Sequence, residues 1–322
     1  MRKLLSLTLA LACAALLSFP AAAQSWPSTT LRLVVPTPPG SSVDLVARVI
    51  GEKLKDRYGQ TVIVENRPGA GGTIGAGLVA KATDGHTFFA GFNGPLTVAP
   101  ALYPKLPYDP ARDLAPVILT VTQPNVLAVR ADLKVDSLKD FIALAKARPG
   151  KLNYASVGNG SLSHLSMELL KTGAGLFIVH IPFNGGPPAV QAMASGDVDA
   201  LFTALSNLQP LARAGKVRLI ALSNAKRSAA APEIPTVAEQ GFAGFDATTW
   251  NGILAPAATP PAVIAELNRA INQILALPEV QSRLLASGAE PAGGTPEQFG
   301  ALMMAESERW AGVIRRSGIK PD

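Results

Sequence analysis

Apolar and polar positions along the chain follow a pattern typical of strands followed by helices. Leu31 to Val35 is a short apolar run rich in β-branched residues, and Pro36 closes it, which predicts a strand and then a loop. Apolar residues at helical spacing then run from Leu45 to Leu54, with Asp44 in the first turn and Gly59 at the end. The chain is therefore expected to open with a β-strand and an amphipathic helix.

The same succession of strand, loop and helix recurs along the chain. Strands are expected at 61–65 and 87–91, with a small-residue helix over 73–80 between them. Ser137 is expected to cap a helix that Pro149 and Gly150 stop, and a second series follows. Its predicted elements are strands 152–155, 177–182, 200–203 and 217–223 and helices 162–171 and 189–195. Alternating strands and helices predict an α/β fold with mostly parallel sheets flanked by helices.

From about Pro256 onward the pattern changes to helices only. They are expected over 261–277, 279–287 and 296–316, with no strand of their own to cover. The chain is therefore expected to return to its first sheet, which predicts two domains joined by two crossings. Lobe 1 is expected to comprise 24–124 plus 241–322, and lobe 2 is expected to comprise 125–240. In proteins with two such crossings, the crossing segments can act as a hinge, and the two domains can close around a ligand.

Residues 1–23 are expected to be a signal peptide. Arg2 and Lys3 supply the charged start, an apolar run follows, and small residues predict cleavage near Ala23/Gln24. The mature protein is therefore expected in the periplasm. Cys13 would be a lipidation site only if 10–13 were a lipobox, whose usual leading Leu is Ala here. If it is not, the mature chain has no cysteine for disulfides or thiolate metal sites.

Charge and composition exclude several classes of function. The formal net charge is +6 and there is no Lys/Arg cluster, which argues against nucleic acid and agrees with an anionic ligand. The three histidines lack the spacing of metal ligands, so no metal site is predicted. Gly75 to Ala80 fits the dinucleotide pattern G-x-G-x-x-A but falls inside a predicted helix, so no cofactor is predicted either.

Three Gly- and Ser-rich loops share one physical design. They are Thr37 to Asp44, Ser156 to Ser161 and Asn184 to Pro188, and each joins a predicted strand to a predicted helix. Free backbone N–H groups at a helix N-terminus form an anion site, which suits a carboxylate. Each loop alone could be an ordinary turn, but the carboxyl ends of parallel strands meet at one edge, where ligands bind.

Individual side chains in these segments allow two interpretations each. Asp44 could orient a ligand amine or water, or simply stabilise the start of a helix. Ser161 and His164 could form a nucleophile and base, but nothing nearby supplies a third member, so a structural or ligand-touching His164 is favoured. Trp250 could wall the cleft, although burial in the core is the commoner fate of such a residue.

Motifs along nearly the whole mature chain resemble the Bug-type substrate-binding proteins of tripartite tricarboxylate transporters. The resemblance rests on Val35-Pro36, Pro39-Gly40, 44–48, 64–72, Leu106 to Pro110, Gly158 to Ser161, Ala225 to Ser228 and Ile234 to Glu239. It implies a two-domain type 2 periplasmic-binding-protein fold and a carboxylate ligand. It also implies that the protein binds its ligand and passes it to membrane permease subunits, and is not an enzyme.

The resemblance also implies which residues contact the ligand. Carried over by position, the family's contacts fall in the first loop and in two loops of the second lobe. The candidate residues are Thr37, Pro39, Gly40, Ser41, Ser42, Asp44, Asn93, Ser156, Gly158, Asn159, Gly160, Ser161, His164, Asn184, Gly185, Pro188 and Ala189.

Two departures from the family pattern bear on the ligand. The family usually has paired glycines where this chain has Ser41-Ser42, and a threonine where it has Val43. Phe183-Asn184-Gly185 stands where Tyr-Lys-Gly is common, which removes a cation. A monoacid or a modest diacid is therefore better supported than citrate. No particular acid is predicted, because backbone-mediated recognition leaves little side-chain code.

Three functions remain as interpretations of the sequence. The first is a monomeric transport receptor that closes on its solute and presents it to a permease. The second is a periplasmic hydrolase that uses Ser161 and His164, and the third is a sensory subunit that presents the ligand to a signalling partner. The receptor is the main prediction.

Overall fold

The computed structural model describes residues 26–320. The predicted signal peptide over 1–23, including Cys13, lies outside the described residues. Among the helices of the described part, none is long and apolar enough to cross a membrane.

The described strands form two sheets, each built mainly from one half of the chain. The strands of the first sheet are β1 Leu31–Val35, β2 Val62–Asn66, β3 Thr87–Phe92, β4 Leu114–Gln123, β10 Thr249–Pro256 and β11 Glu290–Pro291. Those of the second sheet are β5 Asn125–Arg130, β6 Asn153–Ser156, β7 Val179–Pro182, β8 Ala200–Ala204 and β9 Val217–Leu222. The strand orders are β11-β4-β10-β3-β1-β2 and β7-β6-β8-β5-β9.

Most strands in each sheet point the same way. In the first sheet β1 pairs in parallel with β2 and β3, whereas β10 lies antiparallel between β3 and β4. In the second sheet β6 pairs in parallel with β7 and β8, whereas β5 runs against β8 and β9. The predicted α/β class with mostly parallel sheets is confirmed. Three of the described strands are reversed. They are β5 and β10, which follow the two passages of the chain between the sheets, and the short β11, which runs against β4.

Helices cover both faces of the sheets. They are α1 Ser42–Tyr58, α2 Thr73–Val79, α3 Ala99–Leu102, α4 Pro110–Asp113, α5 Leu138–Ala147, α6 Leu162–Ala174, α7 Gly186–Ser195, α8 Leu205–Arg213, α9 Pro261–Leu275, α10 Pro278–Ala286 and α11 Pro296–Ser317. The short helices of other types are the 3-10 helices Ala70–Gly72 and Ala131–Leu133 and the π-helix Gly94–Val98.

The first long helix shows why the sequence pattern was informative. Ser41 is the N-cap of α1 and accepts a hydrogen bond from the Asp44 N–H, while Gly59 adopts φ 66° at the C-cap. The predicted apolar face of this helix is buried, since Val49, Ile50 and Leu54 pack against the first sheet. The predicted cap Ser137 of α5 is also present.

Several elements differ from the sequence-based expectation, and one of them is strand β10, which was not predicted. Helix α7 begins at Gly186 instead of Ala189, because prolines fit the first turn, where their missing N–H would have no intrahelical acceptor. Helix α8 was not predicted, since Pro210 lies inside it and proline normally interrupts helices. The short strand β11 interrupts the C-terminal segment that was expected to be purely helical.

The chain crosses between the two sheets twice. It leaves the first sheet after β4, continues through Pro124 directly into β5, and returns after β9 to form β10. Helices α9 and α10 then pack on the first sheet. Strands β4 and β5 lie on either side of Pro124, and the limits of the two lobes stay a prediction.

Helix α11 contacts the cores of both sheets. Its first half packs Phe299 and Met303 against residues of β1, β3 and β10. Its second half packs Trp310, Val313 and Ile314 with the core of the second sheet. The helix therefore spans the boundary between the two sheets.

Candidate functional site

A narrow cavity lies where the loops of the two sheets face each other. It encloses about 80 Å³, and a second cavity of about 50 Å³ adjoins it. Residues shared by both cavities are Thr37, Phe92, Val157, Ser161 and Gly185. The other residues that line the first cavity are Ser41, Ser42, Val43, Gln123, Asn125, Leu162, Ser163, Gly186, Thr203, Ala204, Asn207 and Thr249.

The loops on either side of the cavity approach each other closely. A Cβ atom placed on Gly185 would lie 3.0 Å from Pro38 Cδ, and Gly185 has a φ of 105°. Both the positive φ and the contact favour glycine at this position. The loop after β1 and the loop after β7 therefore meet across the cleft.

The N-terminus of α1 forms one wall of the cavity. The Thr37 and Ser41 hydroxyls lie 2.6 Å apart, and Ser41 N–H donates to the Pro38 carbonyl. Ser42, in the first turn, also lines the cavity. The loop is therefore fixed by its own hydrogen bonds, and the first N–H groups of the helix have no intrahelical acceptor.

Asp44 holds this loop in place and does not line either cavity. Its carboxylate accepts hydrogen bonds from Gly40 N–H, the Arg48 guanidinium and Asn66 Nδ2, each at 2.9 Å. Burial alone would raise the pKa of Asp44, but these donors outweigh burial and lower it below its ordinary value. Of the two roles considered for Asp44, the contacts support the structural one.

The N-terminus of α6 forms the opposite wall. Ser161 caps the helix by accepting from His164 N–H, and its hydroxyl donates to the Gly158 carbonyl at 2.6 Å. Ser163, in the first turn, donates to the Phe202 carbonyl and accepts from Val157 N–H. The start of α6 is thus tied to β8 and to the loop that precedes it.

Two further helices begin at the same cavity. Gly186 opens α7, and a Cβ atom there would lie 2.5 Å from Asn207 Nδ2 in the first turn of α8. Asn207 Nδ2 in turn donates to the Thr203 hydroxyl at 2.9 Å. The N-termini of α1, α6, α7 and α8 therefore converge, and each contributes a partial positive charge. Such an arrangement attracts an anion.

Charged side chains are absent from the cavity walls. Among the described residues that line either cavity, none is Asp, Glu, Lys, Arg or His. An anion bound here would be stabilised by backbone N–H groups, helix dipoles and hydroxyls alone. Within residues 26–320, no cluster of His, Cys, Asp and Glu is suited to hold a metal ion.

His164 lies behind the cavity wall and not beside a nucleophile. Its Nδ1 accepts a hydrogen bond from Gly160 N–H at 3.1 Å, and its ring stacks on His180 with centroids 3.9 Å apart. Burial, followed by the nearby His180 and Lys171, lowers the pKa of His164 to about 3. The neutral ring supports the loop, and the contacts that it makes do not include the Ser161 hydroxyl. This arrangement does not favour a Ser161/His164 hydrolase.

Ser156 belongs to the same supporting layer. Its Oγ lies 2.7 Å from His180 Nε2, and it donates to the Gly158 carbonyl at 3.1 Å. Behind it, the Tyr154 hydroxyl donates to Glu168. The layer shapes the loop at 156–161 from within the second lobe.

Several predicted contact residues lie away from the cavity. Pro39 and Gly40 are exposed at the tip of the first loop, and Asn159 donates to the Lys320 carbonyl. Pro188 and Ala189 lie within α7, not in the loop before it. The structure therefore does not bring these residues to the cavity, whereas Gly158 and Asn184 line its second part.

Asn93 and Trp250 form a buried network instead of a cleft wall. Asn93 Nδ2 donates to Glu306 Oε2 at 2.6 Å, and Trp250 Nε1 donates to the same oxygen at 2.9 Å. Asn93 Oδ1 also accepts from Trp250 N–H at 3.0 Å. Burial was the favoured interpretation for Trp250, and its side chain is 1% exposed.

Sequence reasoning missed several cavity residues. Gln123, Thr203, Asn207 and Thr249 contribute polar atoms, and Phe92 contributes an apolar wall. Gln123 and Thr203 each fall near the carboxyl end of a buried apolar strand, which is the signal that could have identified them.

Known proteins with similar sequence and structure place the chain in a family. A family model described as the tripartite tricarboxylate transporter family receptor matches residues 46–319. The protein BugT of Bordetella pertussis is 40% identical over 303 residues, which cover 94% of this chain and 93% of BugT.

Solved structures agree with that assignment. An R. palustris protein whose structure contains adipate has a TM-score of 0.89 and 37% identity, over 92% of this chain and 100% of that one. MatC from Rhodopseudomonas palustris with bound malate has a TM-score of 0.83 and 35% identity, over 90% of this chain and 100% of MatC. The resemblance to Bug-type proteins is thereby confirmed, and this chain belongs to the tripartite tricarboxylate transporter receptor family.

Proposed function

We propose that the protein is a periplasmic receptor that clamps a small carboxylate between two lobes and delivers it to membrane permease subunits. In this proposal lobe 1 comprises 24–124 plus 241–322 and lobe 2 comprises 125–240. Export by the predicted signal peptide accounts for the location, and other members of the family are periplasmic binding proteins. The receptor acts as a monomer and performs no chemistry on its ligand.

One observation carries this proposal. Four helix N-termini, one from the first lobe and three from the second, converge on a cavity lined by uncharged residues. A carboxylate there accepts hydrogen bonds from N–H groups of both lobes, so its binding stabilises the arrangement in which the lobes are together. The adipate and malate in the related structures are carboxylates of a similar small size.

The proposed contacts are fewer than the sequence suggested. The N–H group and hydroxyl of Ser42 and the first-turn N–H groups of α6 at Leu162 and Ser163 are expected to bind the carboxylate, while Ser41 and Ser161 hold the two helix starts in place. Gly185 lets the two loops approach, and Asn184 and Gly158 line the adjoining part.

A calorimetric titration tests the proposal. The chain from Gln24 onward is unfolded and refolded to remove carried-over ligand, and is then titrated with mono- and dicarboxylates that include adipate and malate. One-to-one binding of at least one acid at micromolar concentration or tighter is expected, with no product after long incubation.

Matched serine variants locate the binding site. Ser161→Ala is expected to weaken acid binding about tenfold, because it removes a cap and a hydroxyl from the cavity wall. Ser287→Ala is the matched control. The Ser287 hydroxyl also donates to a nearby backbone carbonyl but lies at the C-cap of α10, so this variant is expected to bind as the parent does. Absence of heat with every acid, or turnover of one, would contradict the receptor proposal.

A further inference from the structure

Several buried polar atoms of β4 and β10 have no hydrogen-bond partner within residues 26–320. Gln123 Oε1 and Thr249 Oγ1, which belong to cavity-lining residues, are buried and unpaired among the described residues. Asn251, two residues further along β10, has both side-chain polar atoms buried and unpaired. Because a buried polar atom without a partner is costly, such a group calls for a bound molecule or ordered water.

Strand pairing explains why these atoms lie together. Thr249 of β10 is directly opposite Gln123 of β4, and cross-strand partners project from the same face of a sheet. Gln123 is 2% exposed, and its Nε2 donates to the Ser42 hydroxyl at 3.0 Å. The amide is therefore anchored to the first turn of α1, which leaves its carbonyl oxygen available.

We propose that Gln123 and Thr249 bind an uncharged polar end of the ligand, such as a hydroxyl or a primary amide, while its carboxylate lies at the converging helix N-termini. This inference rests on the proposed function and specifies its ligand class. The carbonyl oxygen of Gln123 can only accept a hydrogen bond, so the ligand end must carry a donor.

The unpaired carbonyl oxygen of Gln123 disfavours the alternatives at that end. A second carboxylate would place its acceptor oxygens against this carbonyl oxygen, which cannot donate a hydrogen bond to them. An ammonium group would find no lining carboxylate. Burying a charge without a partner costs far more than burying a hydroxyl that is hydrogen-bonded. A plain methyl end would leave the two oxygen atoms unpaired.

Acids that differ only in their far end test this directly. Refolded protein is titrated with butanoate, ω-hydroxybutanoate and succinate, and with hexanoate, ω-hydroxyhexanoate and adipate. At the length that fits the cavity, the hydroxy acid is expected to bind about tenfold or more tightly than the methyl acid and the diacid.

Variants that remove the unpaired oxygens give a second, independent measurement. Gln123→Leu and Thr249→Val are each expected to weaken hydroxy-acid binding about tenfold and to leave methyl-acid binding unchanged or improved. The unfolding midpoint of Thr249→Val without ligand should not fall, whereas Gln123→Leu also loses the hydrogen bond to the Ser42 hydroxyl and is expected to lower its midpoint. A purely structural role would instead lower the midpoint of both variants and weaken all acids equally. Gln191 and Thr172 are exposed, so Gln191→Leu and Thr172→Val serve as matched controls. Neither control should change the affinity for the hydroxy acids or for the methyl acids.

The outcomes separate the two proposals. If none of the six acids binds, the carboxylate receptor itself is wrong. If acids bind but the diacid or the methyl acid is tightest, or both cavity variants keep the parent's preference, only the uncharged-end inference is overturned. Should Gln123→Leu fail to fold, Thr249→Val alone decides, because its hydroxyl has no partner to lose.

Discussion

Replacing Glu306 with alanine should strongly destabilise the protein, because Glu306 is a buried hydrogen-bond acceptor in α11. The carboxylate is buried, with the residue 8% exposed, and its Oε2 accepts from Asn93 Nδ2 at 2.6 Å, Trp250 Nε1 at 2.9 Å and Trp310 Nε1 at 3.3 Å. These donors come from the end of β3, from β10 and from α11 itself. One carboxylate thus links the end of β3, strand β10 and helix α11, and α11 also packs on the core of the second sheet.

The expected magnitude follows from the number of donors that lose their acceptor. An unsatisfied buried donor costs about 1–3 kcal/mol, and donors that share one acceptor are not independent. Three such donors therefore predict a loss of about 3–6 kcal/mol in the free energy of unfolding for Glu306→Ala. Glu306→Gln keeps one acceptor oxygen but places an amide group among donors, so a loss of about 1–3 kcal/mol is expected.

Urea unfolding followed by tryptophan fluorescence measures this loss. Trp250 and Trp310 both belong to the network, so their emission reports on it directly, and circular dichroism follows the helices in parallel. Glu308→Ala is the matched control, because Glu308 is exposed on the same helix, and a change within about 0.5 kcal/mol is expected. A loss below about 1 kcal/mol for Glu306→Ala would refute the view that this carboxylate anchors the junction.

Three further substitutions test the supporting layers. The pKa of His164 is lowered to about 3 in the fold, so below about pH 6.5 the unfolded chain binds a proton at this residue and the folded chain does not. The free energy of unfolding should therefore fall as the pH is lowered from 6.5 to about 3, by up to about 1.4 kcal/mol per pH unit. Urea midpoints measured across this pH range should show a shallower fall in His164→Gln. Gly186→Ala should weaken acid binding about tenfold by displacing Asn207, with almost no change in melting temperature. Asp44→Asn should lower the free energy of unfolding by about 1–3 kcal/mol in urea titrations, since an amide cannot accept from all of its donors, and acid binding should weaken as the first loop loosens.

Local signals predicted much of the fold. The cap at Ser41, the αL glycine Gly59 and the apolar face of α1 are determined by residues within one helix, so they can be read without knowing the partners. The alternation of strands and helices likewise predicted mostly parallel sheets, and Gly/Ser-rich loops at strand ends predicted where the cavity would form.

Contacts between distant segments could not be predicted in the same way. Gln123 and Thr249 become neighbours only because β10 returns between β3 and β4. Asn93 was among the predicted ligand contacts, yet its side chain donates to Glu306, which lies 213 positions away. Asn207 was missed because Pro210 obscured α8. In each case the deciding interaction is tertiary.

The unpaired atoms of Gln123 and Thr249 also bear on how such a receptor could couple binding to closure. A ligand can shift the arrangement of two lobes only by its difference in affinity for the two arrangements. With the loops together and no ligand present, buried oxygens without partners cost about 1–3 kcal/mol each, whereas an open cleft would expose them to water. The hydroxyl of a bound hydroxy acid would form hydrogen bonds with these oxygens, and its carboxylate would accept hydrogen bonds from N–H groups of both lobes. The same oxygens would therefore disfavour the empty closed form and favour the filled one, which is the difference that a clamp requires.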